Sequence, residues 1–250
     1  MTKFYATFLF LLLFTPVFGQ WTGQWTQVPN MSEVRSEHQL LPFSNGKVLA
    51  IGGWNGTANS KTSEHHNLTN SAWVPSTNEM NVAHTTGAAV VLGNGKGLIT
   101  GGYTGSVQTA ECELYDTSTN TWSAAGALNA ARSYHTATVL QSGKVLVTGG
   151  YNGSINLTSC ELYDPTTNMW TAVPTGLTTG RSYHTATLMA DGRVLIAGGY
   201  NPNAGYQLNS VEIYDPIANS VAATSAMSNS RAWHAASLLD DGKVLVSGGE

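Results

Sequence analysis

Apolar residues in this chain gather in short runs, each closed by a Gly-Gly pair. The runs are NGKVLAIGG, NGKGLITGG, SGKVLVTGG, DGRVLIAGG and DGKVLVSGG, with glycine pairs at 52–53, 101–102, 149–150, 198–199 and 248–249. Within each run the apolar residues stand together instead of alternating, the pattern of a strand covered on both faces. Asn-Gly or Asp-Gly opens four of the runs, and such steps favour the positive φ angles of a tight hairpin turn. A partner strand is therefore expected ahead of each run, as in YHTATVL (134–140), rich in Thr and Val. Behind the glycines come acidic-aromatic stretches: ECELYD (111–116), SCELYD (159–164), SVEIYD (210–215) and the degenerate SEHHN (63–67). A turn such as DPTTN then leads to a last strand near a Trp (Trp25, Trp73, Trp122, Trp170), with Ser220-Val221 in the final such place. The pattern predicts one unit of four strands, a to d.

The unit recurs at steps of about 50 residues, and sheets buried on both faces at that period stack as blades around an axis. The fold class expected is all-β. Several landmarks recur in register: Gly-Gly, an aromatic, Glu-X-Tyr-Asp, then Trp. This resembles the kelch repeat, over residues 21–250. The resemblance implies a kelch-type β-propeller, of six or seven blades in a complete ring. The chain itself supplies four complete four-stranded blades, a lone strand d at Trp25, and a half blade ending at Glu250. The expectation is an incomplete propeller over 20–250 and a chain that is a fragment.

Residues 1–19 read differently. Lys3 precedes an apolar run from Phe4 to Phe18, too short for a membrane span and shaped like a secretory signal peptide. A secreted, extracellular protein is expected, with no membrane span after cleavage. Export gives meaning to five Asn-X-Ser/Thr sequons, at Asn30, Asn55, Asn67, Asn152 and Asn156, which mark a glycoprotein. The net charge of −4 offers no reason to expect nucleic acid as a partner.

Candidate chemistry repeats with the scaffold. Arg35, Arg132, Arg181 and Arg231 share one register position at the start of the innermost strands, with His84 in that place in the second unit. Two readings stand: a positive ring at the channel mouth for an acidic ligand, or internal pairing with backbone carbonyls and the strand c acids Glu64, Glu113, Glu161 and Glu212. Trp54, Tyr103, Tyr151 and Tyr200 open the long b–c loops, which should emerge on one face together with the d–a loops. Varied loops on a rigid ring are where binding resides. Glycans on Asn55 and Asn152 would leave the second and fourth blades open, around Tyr103 and Tyr200. His38, His135, His184 and His234 also repeat in register, which points to scaffold and not to a metal site. Cys112 and Cys160 hold one slot in successive blades, on the order of 10 Å apart, whereas a disulfide needs Cα atoms within about 7 Å. Two free buried thiols are expected. The leading reading is a non-enzymatic module binding a protein or glycan ligand, without a cofactor. The alternative is a copper-radical oxidase of the galactose oxidase type. Its axial Tyr and copper His motif is similar to Tyr134-His135 and Tyr183-His184, although here the motif occurs twice.

Overall fold

The computed structural model describes residues 27–67 and 71–250. The stretch 1–19 and Trp25 lie outside the described residues. Four antiparallel four-stranded sheets follow one another in sequence order. The first contains β1 (Gln39–Pro42), β2 (Lys47–Ile51), β3 (Ser63–Asn67) and β4 (Ala72–Pro75). The second contains β5 (Ala88–Val91), β6 (Gly97–Thr100), β7 (Cys112–Asp116) and β8 (Thr121–Ala124). The third contains β9 (Thr136–Val139), β10 (Val145–Thr148), β11 (Cys160–Asp164) and β12 (Met169–Ala172). In the fourth, β13 (Thr185–Leu188) and β14 (Val194–Ala197) are followed by a small loop hairpin of β15 (Tyr200–Asn201) and β16 (Tyr206–Gln207). The sheet then closes with β17 (Val211–Asp215) and β18 (Ser220–Thr224). A two-stranded sheet, β19 (Ala235–Leu238) with β20 (Val244–Ser247), comes last. The innermost strands touch in the order β1, β5, β9, β13, β19, and so form an arc around a central channel.

The core lies between blades. Val145 and Val147 of β10 pack with Leu98 and Cys112 of the second blade. Leu146, between them in sequence, packs with Val194, Ile196 and Tyr214 of the fourth. Alternate side chains of a strand point to opposite faces, so both faces of β10 are covered and its apolar residues run without a break. Each such burial contributes roughly 1.5–3 kcal/mol. Tyr115 against Trp122 and Tyr163 against Trp170, with ring centroids 5.2 and 5.1 Å apart, close the outer part of each blade. In the first blade His66 takes the Tyr place and meets Trp73 at 5.1 Å.

The glycine pair couples neighbouring blades. Gly149 has φ +59°, and a Cβ there would stand 2.5 Å from the Arg181 carbonyl oxygen of the next blade. The Gly150 N–H donates to that same oxygen at 2.8 Å, and the second and fourth blades repeat the bond through Gly102 to Arg132 and Gly199 to Arg231. Absence of a side chain therefore allows the backbones of two blades to meet.

Strand a is shorter than its sequence suggests. The strand in YHTATVL begins at Thr136, because Tyr134 adopts φ +56° and turns the chain just before it.

Candidate functional site

The arginines do not form a ring on the channel surface. Arg132 and Arg181 are 0% exposed. Arg132 Nη1 donates to the carbonyls of Gly149 (2.7 Å) and Ser159 (3.0 Å), and its Nη2 pairs with Glu161 at 2.6 Å. Arg181 repeats this with Gly198, Ser210 and Glu212. Arg35 does so with Gly52, Thr62 and Glu64, and Arg231 donates to the Gly248 carbonyl. His84, in the same register, meets the Gly101 carbonyl and Glu113. Each acid also gathers the d–a loop: Glu161 accepts from the Asn129 and Ala130 N–H groups. The physical reason is desolvation. A guanidinium with five donors, surrounded by carbonyls and a carboxylate, satisfies the exit of strand b internally. The acidic-ligand reading thus loses its positive ring.

The channel mouth is built by the residue two places after each arginine. Glu37, Thr86, Tyr134, Tyr183 and Trp233 all adopt φ between 55 and 58°. That region is costly for side chains of this size. The strain is held by a backbone relay from blade to blade. Thr86 N–H donates to Glu37 O, Tyr134 to Thr86, Tyr183 to Tyr134 and Trp233 to Tyr183, at 2.9–3.3 Å. Turned this way, three aromatics stack along the rim. Tyr134 and Tyr183 centroids are 4.3 Å apart, and Tyr183 and Trp233 are 4.5 Å apart.

The loop aromatics join this rim. Trp54, Tyr103, Tyr151 and Tyr200 each donate a backbone N–H to the residue preceding a rim position: Ser36, Thr85, Ser133 and Ser182. Tyr200 meets Trp233 at 5.6 Å and Tyr206 at 6.0 Å. Tyr151 is half-buried and Trp54 is 40% exposed. Trp233 and Tyr206 are about half exposed.

Two cavities open here. The channel itself holds about 580 Å³ and is lined by the rim and the innermost strands. A smaller one, about 400 Å³, lies between Glu37, Trp54, Thr85, Tyr103 and Tyr134. Burial lowers His184 to about 3, with Arg181 adding to the effect, and lowers His135 well below its ordinary value. Both are neutral near pH 7. His135 Nε2 contacts the Thr100 hydroxyl at 2.8 Å and His184 Nε2 the Thr148 hydroxyl at 2.9 Å. Burial also raises Tyr183, helped by the Tyr134 hydroxyl and the Glu37 charge. In both pairs Nδ1 is buried without a hydrogen-bond partner, so only the Nε2 side of each ring is engaged. Among the described residues no group of three His, Cys, Asp or Glu converges for a metal ion.

Residues 37–249 match the KLHDC2/KLHL20/DRC7 Kelch-repeats domain. The chain belongs to the kelch-repeat family. Among solved structures it is similar to YjhT, a kelch-type propeller, with a TM-score of 0.75 and 15% identity over 92% of this chain and 82% of that one. Likeness at that identity is one of fold. No curated protein matches the sequence. A kelch propeller is a protein-interaction and scaffold fold.

Within this kelch domain the cysteines are free and buried, and burial raises both thiols to about 12. The sequons differ in accessibility. Asn30 and Asn152 are exposed, and Asn156 is half-buried with an unpartnered side-chain oxygen. The Asn55 amide donates to Glu33 at 2.6 Å. Leu68 and Thr69 of the Asn67 sequon lie outside the described residues. Among those described, no helix is long and apolar enough to cross a membrane. Sequence reasoning missed the rim as a set. Its signal was present: one register position reads Glu, Thr, Tyr, Tyr, Trp while its neighbours repeat.

Proposed function

We propose that this kelch domain is a secreted, non-enzymatic binding module whose ligand, a protein or a glycan, docks at the channel mouth on the face of the b–c loops. The observation that carries the reading is the left-handed rim. Five non-glycine residues hold a strained conformation and so present Tyr134, Tyr183 and Trp233 side by side at the opening. Strain of this kind persists where the surrounding structure over-determines it, typically at binding surfaces. Aromatic rings offer large rigid contact area at low entropic cost, to apolar peptide side chains and to sugar faces alike. Export is supported by the signal-like residues 1–19, and glycosylation by the exposed sequons at Asn30 and Asn152.

The test is to probe the immobilised chain with peptide and glycan arrays, and then to repeat the best binder on Tyr200→Ala combined with Trp233→Ala. Loss of at least about tenfold in affinity is expected, since two interface aromatics are removed. Unchanged affinity in a variant with unchanged circular dichroism would place the binding surface elsewhere.

A further inference from the structure

The smaller cavity at the mouth has a charge opposite to the one the arginine register suggests. Glu37 lines both cavities and is the one acidic residue in either; no arginine or lysine lines them, and burial lowers the imidazoles of His38, His135 and His184 below their ordinary value. The Glu37 side chain is exposed and forms no ion pair among the described residues. Three aromatic side chains share that cavity with it: Trp54, Tyr103 and Tyr134. The Thr85 hydroxyl, in the same wall, is buried without a hydrogen-bond partner.

We propose that this cavity takes the side-chain ammonium of a lysine, free or methylated, presented by a polypeptide partner. The inference rests on the mouth being the binding surface, and it adds the chemistry of the ligand. A cation beside aromatic faces is attracted by their quadrupoles. The Glu37 carboxylate in the cavity wall adds an electrostatic attraction that a free or a methylated ammonium shares. A neutral side chain would gain neither term, and an acidic one would in addition be repelled by the Glu37 carboxylate. About 400 Å³ accommodates a four-carbon stem and its ammonium head. A polypeptide is the source because the cavity opens among the b–c loops of a protein-interaction fold, where a partner backbone can lie across the rim.

The experiment uses the full chain and three capped peptides differing only in one residue: lysine, trimethyl-lysine and acetyl-lysine. The part of the tryptophan fluorescence change that Trp54→Ala abolishes reports on Trp54, and calorimetry gives affinity. Both cationic peptides should bind saturably, weaken as salt rises, and outbind the neutral acetyl-lysine peptide by about tenfold or more. Glu37→Gln should remove most of that preference. Trp54→Ala should cost roughly 3- to 30-fold. n-Butylammonium, the side chain without its backbone, should compete only weakly. Equal affinity for the acetylated peptide, an unchanged affinity in Glu37→Gln, or tight binding of butylammonium alone would each overturn the proposal. An array ligand that depends on Tyr200 and Trp233 but ignores Glu37→Gln would sink the cationic assignment and leave the mouth as the binding surface.

Discussion

The histidines preceding the innermost strands show how one residue ties a repeat to pH. His184 is neutral in the fold, with burial, then Arg181 and His234, holding it near 3 instead of its ordinary value of about 6.5. Between those values the unfolded chain binds a proton that the native chain does not. Stability therefore rises with pH across the window and is fully present above about 6.5. His135 acts in the same direction. Each group should give a slope of up to about 1.4 kcal/mol per pH unit. Thermal unfolding should accordingly move to lower temperature as pH falls from 7.5 to 5, and His184→Gln should flatten part of that slope. A melting temperature constant over the range would contradict the burial argument. The thiols of Cys112 and Cys160 follow the same physics, with burial holding both in the neutral form.

At the scale of an element, the strand exit is held by one arginine and one acid. Arg132 and Glu161 are both buried and 2.6 Å apart. Removing one partner leaves an uncompensated buried charge, which costs about 3–5 kcal/mol. Arg132→Met should therefore lower the melting temperature by roughly 10 °C. The second blade supplies the milder variant, since His84 reaches the equivalent carbonyl and acid. Arg132→His should retain the Gly149 and Glu161 contacts, lose those to Ser159, and cost on the order of 1–2 kcal/mol. Equal losses for the two substitutions, by denaturant unfolding, would show that the carboxylate contact is not what matters. This internal pairing is also why the arginine register carries no binding site on the channel.

Over the whole molecule, the blades are held by apolar layers and by backbone contacts at the glycine pairs. Gly149 has no room for a Cβ beside the Arg181 carbonyl and sits at positive φ. Gly149→Ala should cost roughly 2–4 kcal/mol by separating the third and fourth blades. Gly93, with nothing within 4 Å of an added Cβ, should accept alanine within about 0.5 kcal/mol. Comparable losses at both positions in chemical denaturation would mean that the inter-blade contact is not the cause. The hydrogen-bond relay along the rim joins the same neighbouring blades through separate bonds, so a shift between blades would also disturb the aromatic arc.

The amino-acid order alone determined the repeat, its four-strand unit and the blades. The reason is that turn glycines, unbroken apolar runs and the Tyr-Trp pair act locally or between adjacent strands, and recur in register at Tyr115-Trp122 and Tyr163-Trp170. It also kept Cys112 and Cys160 apart, because strand spacing is generic. Tertiary structure alone decided which repeated residues face solvent. Arg132 and Tyr134 are two positions apart, yet one is enclosed by carbonyls and the other turned outward by a left-handed backbone. Within one unit nothing distinguishes them, and comparison across units shows only that the second position varies, because the Arg132 contacts come from the strand b exit and strand c of its own blade, and the relay that fixes Tyr134 comes from the second blade. The sign of charge at the mouth was settled in the same way: Arg35, Arg132 and Arg181 are buried, no arginine lines the channel, and Glu37 lines the smaller cavity together with Trp54, Tyr103 and Tyr134.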